Sequence, residues 1–115
     1  MRSWRVAIKR GAVLEEQEEK PAWLVAMGPD DLQFVKRFLL ASGSLKDLAR
    51  QYEVSYPTIR SRLDRLIAKV QAAEDPKIND PFERMLRILV ADGAVPHGLA
   101  RQLLEAHRQS RRGRS

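Results

Sequence analysis

The chain contains no cysteine and few aromatic side chains, which make up 6% of its 115 residues. Without thiols, disulfides, thiolate zinc sites and cysteine-dependent catalysis are excluded, and a reducing compartment is expected. No apolar run approaches the roughly 18 residues of a membrane helix, and the N-terminus lacks the apolar block and cleavage site of a signal peptide. We therefore expect a cytoplasmic protein with no membrane segment.

A catalytic or metal-binding arrangement is also missing from the sequence. The two histidines, His97 and His107, are ten positions apart, about 280° around a helix, and no cluster of acids accompanies them. The glutamates of residues 15–19 are typical of a solvated charge run, and the glycines match no phosphate-binding loop. We expect no enzyme, no cofactor and no metal site.

The charge that the chain does carry is basic and unevenly placed. The net charge is +6 and the isoelectric point is about 10.2, which favours an anionic partner, nucleic acid before an anionic membrane. Residues 43–72 hold 6 basic and 3 acidic side chains, a net +3, and residues 108–115 add four arginines. Residues 73–107 hold 4 basic and 6 acidic side chains, a net −2.

Apolar periodicity predicts an all-α protein in four parts. Residues 1–27 are an N-terminal arm or a small β element, because Trp4, Val6 and Ile8 alternate with polar residues. Residues 28–74 form a three-helix domain and residues 75–107 a helical hairpin, while residues 108–115 are a basic, disordered tail.

The stretch from Leu45 to Leu66 has the layout of a helix-turn-helix. Ala49 is the small residue where the two helices cross, and Ile59 is the core anchor of the second helix. Ser55 is expected to cap that second helix, with Pro57 in its first turn. The turn has Glu53 where glycine is usual, so a distorted turn or a tolerated left-handed glutamate is expected.

In such a unit the second helix enters the major groove with its N-terminal residues toward the base edges. The outward residues of this reading helix are predicted to be Tyr56, Pro57, Thr58, Arg60, Ser61, Arg62 and Asp64. Arg60 is the best candidate for a bidentate contact with guanine, and Tyr56 or Pro57 could touch a thymine methyl. Candidate phosphate contacts are Ser44, Lys46, Ser55 and Arg65, a weaker Lys69, and the free N–H groups at the helix N-terminus.

An apolar seam continues along the same helix. Ile59, Leu63, Leu66 and Val70 are spaced 4, 3 and 4 residues apart, as in an a/d repeat. The seam is either part of the domain's own core or a contact with a second copy. A homodimer through this seam or through the C-terminal hairpin is therefore left open.

The residues from Gly43 to Leu48 and from Val54 to Leu63 resemble the helix-turn-helix of an uncharacterised bacterial family, family 2089 of the domains of unknown function. The resemblance covers roughly residues 28–70 and is most specific at the Ser-Tyr-Pro-Thr start of the reading helix. Members typically carry an N-terminal zinc ribbon, which this cysteine-free chain cannot build. The hairpin from Phe82 to Leu104 resembles a short C-terminal (SHOCT-like) helical module but departs from it at residues 94–96. The resemblance implies DNA binding.

Two functions are compatible with these features of the sequence. The first is a bacterial DNA-binding transcriptional regulator that inserts residues 56–66 into the major groove of double-stranded DNA. The alternative is a protein–protein adaptor that uses the same helical scaffold, with its charge serving solubility. The basic surplus of residues 43–72 favours DNA.

Overall fold

Six α-helices make up the part of the chain that the structure, a computed structural model, describes, which is residues 20–113. They are α1 (Ala22–Val25), α2 (Pro29–Leu40), α3 (Leu45–Tyr52), α4 (Tyr56–Glu74), α5 (Pro81–Ala91) and α6 (His97–Gly113). The described range contains no strand, so the predicted all-α class is confirmed. The β element suggested by Trp4, Val6 and Ile8 lies outside the described residues.

Local hydrogen bonds explain where three of these helices begin. The hydroxyl oxygen of Ser44 accepts from the Asp47 N–H at 3.1 Å, and that of Ser55 accepts from the Thr58 N–H at 3.3 Å. The Asp80 carboxylate accepts from the Phe82 N–H at 3.0 Å. Each bond satisfies a backbone donor that the first helical turn leaves open, so the cap predicted at Ser55 is confirmed.

Left-handed residues mark the two turns of the three-helix domain. Gly43, with φ of +78°, follows α2 as predicted and donates its N–H to the Phe38 carbonyl at 2.9 Å. Glu53, with φ of +55°, ends α3, so the turn tolerates a glutamate in the left-handed region. Val54 continues the turn by donating its N–H to the Ala49 carbonyl at 3.0 Å.

The core of this domain lies where α2, α3 and α4 meet, with α1 closing one side. Phe34, Leu48 and Ile59 are its most deeply buried large side chains, and Ala49 is buried at the predicted crossing. The remaining buried members of the cluster are Met27 and Leu66.

The a/d-type seam of α4 faces this core rather than another molecule. Ile59 and Leu66 are buried in the cluster, and Leu63 and Val70 pack against it. The seam therefore forms part of the chain's own core, which is the first of the two predicted alternatives. A homodimer through it stays a prediction.

Hydrogen bonds from Arg84 attach the hairpin, which consists of α5 and α6, to the C-terminal end of α4. Its guanidinium donates to the carbonyl oxygens of Ala72 at 3.1 Å and Ala73 at 2.9 Å, and also to that of Ile78. The last carbonyls of a helix have no partner within the helix, so an arginine from the next element satisfies them. Beside it, Ile78 and Leu86 are buried.

The basic tail is a correction to the sequence analysis. Residues 108–113 continue α6 as helix, instead of being disordered as predicted. Acids at the start of α5 provide the reason: Arg108 lies 3.4 Å from Glu83, and Arg111 lies 3.2 Å from Asp80. Glu83 also pairs with Arg87, at 3.0 Å.

Helix α6 packs on α5 and has no buried side chain.

Candidate nucleic-acid interface

The first two turns of α4 form an exposed polar surface opposite its buried side. Tyr56 is 53% exposed, and Pro57, Thr58, Arg60 and Ser61 are also exposed. Ile59, in their midst, points into the core and fixes how the helix is rotated. We refer to these five exposed residues as the reading surface.

Arg60 is half exposed to solvent, and its guanidinium forms an ion pair. Its guanidinium lies 3.0 Å from the Asp64 carboxylate, one helical turn away, and both side chains are about half exposed. An exposed pair of this kind contributes at most about 1 kcal/mol. The pair can therefore be opened at a small cost, which leaves the Arg60 guanidinium available to another acceptor.

Arg62 was predicted to point outward from the reading helix, but its side chain faces the core. Its guanidinium lies over the rings of Phe34 at 5.0 Å and Tyr52 at 5.7 Å, and it donates to the Asp30 carbonyl at 3.1 Å. The position follows Ile59 by three residues, which places it on the buried side of α4. Arg62 thus covers the core through cation–π contacts and does not join the reading surface.

Lys69 is a second correction, since it is buried at 4% exposure and cannot reach a phosphate. Its ammonium lies 2.5 Å from Asp31 and 3.2 Å from Asp92, and so ties together α2, α4 and the end of α5. Burial alone would lower the pKa of Lys69, but hydrogen bonds to the two carboxylates and their charges raise it above 10.5. The residue belongs to the fold, not to the interface.

The N-terminus of α4 offers less to a phosphate than the sequence suggests. Pro57 has no N–H, and the Thr58 N–H is already bound to the Ser55 hydroxyl oxygen. The Ser55 and Thr58 hydroxyl oxygens also lie 2.8 Å apart. Of the four backbone positions from Ser55 to Thr58, Ser55 and Tyr56 keep an N–H donor open within the described residues, so the expected group of free N–H donors is reduced to two.

The other predicted phosphate contacts are two exposed cations and two capping serines. Lys46 is exposed in the first turn of α3, and Arg65 is exposed on α4 beside the start of α2. Neither pairs with another residue of the described range. The Ser44 oxygen accepts a capping hydrogen bond, which leaves its O–H group as a donor. The Ser55 hydroxyl also caps its helix and shares a second hydrogen bond with the Thr58 hydroxyl. Arg50 was not predicted to contact DNA; it is exposed one turn after Lys46 and pairs with Asp47 at 2.5 Å.

Other kinds of site find no support within residues 20–113. That range holds no group of three or more histidine, cysteine or acidic side chains that could bind a metal. Every helix in it is too short or too polar to cross a bilayer.

Comparison with known proteins agrees with the geometry of α2 to α4. Residues 27–73 match the model of a family described as domain of unknown function (DUF2089)-HTH, which confirms the predicted resemblance over this segment. No curated protein and no solved structure matches the chain. The match ends before the hairpin, and the likeness of α5 and α6 to a SHOCT-like module stays a prediction.

Proposed function

We propose that this protein binds double-stranded DNA by placing the first turns of α4 in the major groove, and that it acts as a bacterial, cytoplasmic transcriptional regulator. The observation that carries the proposal is the division of α4 into an exposed polar side and a side buried through Ile59. The helix-turn-helix family match over residues 27–73 supports it.

In this proposal the residues of the reading surface have different tasks. Arg60 exchanges Asp64 for the O6 and N7 acceptors of guanine, because its planar fork matches that edge. Tyr56 and Pro57 offer apolar contact to a thymine methyl, while Thr58 and Ser61 donate or accept with either base. Lys46 and Arg65, aided by the hydroxyls of Ser44 and Ser55, contact phosphates and set the register.

The DNA-bound form is proposed to be a homodimer. Two copies would place their reading helices about 34 Å apart, one turn of B-DNA, on a pseudo-palindromic site. One copy offers few cations to the backbone, because Arg62 and Lys69 are turned inward. A second copy doubles the number of phosphate contacts.

Fluorescence anisotropy of a labelled duplex, from 50 to 300 mM salt, tests DNA binding. We expect binding that weakens steeply with salt, and, after site selection, a loss of about 1–3 kcal/mol for Arg60→Ala on the selected site. Lys77→Ala is the control, because Lys77 is an exposed cation in the loop before α5, beyond the end of α4 that lies opposite the reading surface. Equal losses for both variants would contradict the assignment of Arg60.

The rival function, a protein–protein adaptor, is favoured by the apolar side chains that the hairpin leaves exposed. The same titration distinguishes the two. An absence of binding to any duplex at 50 mM salt would refute the DNA proposal and favour the adaptor.

A further inference from the structure

An apolar groove lies on the three-helix domain, between α1, α2 and α4. It has a volume of about 350 Å³, which is room for roughly ten water molecules. Core residues such as Phe34 and Leu66 form its floor, and its rim includes Leu39, which is 68% exposed, and Ile67, which is 41% exposed. All of its lining side chains except that of Gln71 are apolar. Water in this groove has almost no hydrogen-bond partner, which favours an apolar occupant.

The chain enters its described part at the edge of this groove. Helix α1 begins two residues after Lys20, and Trp23 and Met27 form the wall of the groove on that side. The Trp23 N–H donates to the Glu74 carboxylate at 3.0 Å, which attaches α1 to the end of α4. The point where residues 1–19 join the domain is therefore fixed beside the groove.

The sequence before α1 contains a segment whose apolar side chains match the groove in length. Trp4, Val6 and Ile8 are spaced two residues apart, so in an extended conformation they point to one side and span about 13 Å. The lining residues of α4 run from Leu63 to Gln71, which is about 12 Å along the helix axis. Three side chains on one edge of an extended segment can therefore fill the groove along its whole length.

Residues 4–8 fit the groove better than the other apolar stretch before α1, residues 12–14. That stretch is continuous, so its side chains would point alternately toward the groove and away from it. The link from Ile8 to Lys20 is up to about 40 Å long when extended, which exceeds the length of the groove. A segment tethered by such a link meets the groove at about millimolar effective concentration, and no partner from solution is needed.

We propose that residues 4–8 of the same chain occupy this groove in an extended conformation, with the side chains of Trp4, Val6 and Ile8 directed into it. The segment covers the rim residues and completes the core of the three-helix domain. Trp4 is expected to contribute most, because a buried aromatic side chain removes about 150–250 Å² of surface from water. The proposal does not depend on DNA binding.

Acrylamide quenching of Trp4 fluorescence in the full chain, without DNA, tests the proposal. Trp23→Phe leaves Trp4 as the only tryptophan and keeps an aromatic side chain in the wall of the groove. The quenching constant of Trp4 should be several-fold lower in the folded chain than in denaturing urea. Adding Leu39→Asp should raise it to the value in urea, because a carboxylate on the rim resists burial under an apolar segment. Leu40→Asp is the matched control and should keep the protection, because Leu40 is 77% exposed on the same helix and does not line the groove.

Ile67→Asp tests the groove from its other wall and should also expose Trp4 to acrylamide. Leu39 and Ile67 are exposed at the rim, so we expect both variants to keep helical circular dichroism and cooperative melting. Nuclear Overhauser contacts between the Trp4 indole and the methyl groups of Leu39 and Ile67 provide a measurement that needs no substitution.

Four results would overturn the proposal. The first is a Trp4 that is quenched as readily in the folded chain as in urea, or that shows none of these Overhauser contacts. The second is protection that survives both Leu39→Asp and Ile67→Asp. Protection lost on dilution would place the segment on a second copy, and protection lost in Leu40→Asp but kept in Leu39→Asp would place it on another side of α2. Because no DNA is present, these outcomes are independent of the anisotropy experiment.

Discussion

Replacing Lys69 by methionine tests whether a buried ion pair holds the three-helix domain to the hairpin. Methionine keeps an apolar stem of similar length but removes the ammonium that lies between Asp31 and Asp92. We expect the free energy of unfolding at pH 7 to fall by about 2–3 kcal/mol, because breaking a buried pair strands a charge.

The magnitude follows from how much water each carboxylate keeps. Removing one partner of a fully buried pair costs about 3–5 kcal/mol. The Asp31 side chain is 16% exposed and retains the Gly28 N–H at 3.1 Å, which reduces that cost. Asp92 is 39% exposed, so its pair with Lys69 is treated as a surface pair of at most about 1 kcal/mol.

Lowering the pH distinguishes the loss of the Lys69 charge from the loss of its packing as the cause of the reduced stability. Burial alone would raise the pKa of Asp31, but hydrogen bonds from Lys69 and Gly28 and the charges of Lys69 and Arg62 hold it below 3.8. In the wild type, this contribution to stability is therefore present above about pH 4 and is lost as the pH falls through the lowered pKa. Without Lys69 the carboxyl protonates more readily, so the difference between the variant and the wild type should shrink at pH 3.

Urea denaturation followed by circular dichroism at pH 7 and pH 3 measures this difference, with Lys77→Met, an exposed lysine in the loop before α5, as the control. A loss below 1 kcal/mol at pH 7, or the same loss at both pH values, would refute the reasoning. Because Lys69 is buried, the folded variant should also bind DNA as the wild type does.

Three further variants have definite expected outcomes. Asp64→Asn should raise DNA affinity several-fold in the anisotropy assay, because it frees Arg60 and removes a negative charge near the phosphates; unchanged affinity would place Asp64 away from the DNA. Glu53→Gly should raise stability in urea by up to about 1 kcal/mol, since φ is +55° there, and a lower midpoint would contradict this. Arg84→Met should cost about 1–3 kcal/mol by leaving carbonyls at the end of α4 unpaired, and should speed amide exchange in α5; unchanged exchange would argue against that role.

The order of the helices could be predicted because its determinants are local. Ser44, Ser55 and Asp80 each bond a backbone N–H two or three residues away, and a pattern read along the chain contains both partners. The left-handed conformation at Gly43 was likewise expected from glycine's freedom at a helix end.

The charged residues whose positions were predicted wrongly have partners that are far away in the sequence. Lys69 meets Asp31 across 38 residues, and Arg111 meets Asp80 across 31, so no local window shows either pair. A partial signal did exist on α4. Arg62 follows Ile59 by three residues and Lys69 follows Leu66 by three, and both positions fall on the apolar arc of the helix.

The inward position of Arg62 and Lys69 leads to a prediction about the number of copies on the DNA. Of the exposed cations proposed to contact DNA, Lys46 and Arg65 remain for phosphates, because Arg60 is assigned to guanine. Two phosphate contacts give a slope of about −2 in a plot of log affinity against log salt, and two copies give about −4. From 50 to 300 mM salt the affinity should fall about 25-fold for one copy and about 600-fold for two.

Anisotropy of the wild-type chain on the selected site, measured at several salt concentrations from 50 to 300 mM, checks this prediction. We expect a slope of about −4, because the proposed DNA-bound form is a homodimer. Lys77→Ala should keep the wild-type slope, because Lys77 is exposed in the loop before α5 and is assigned no contact with DNA. A slope of about −2 would mean that one copy binds DNA alone. A slope clearly steeper than about −4 would mean that cations beyond Lys46 and Arg65 contact the phosphates, and that the count of available cations is wrong.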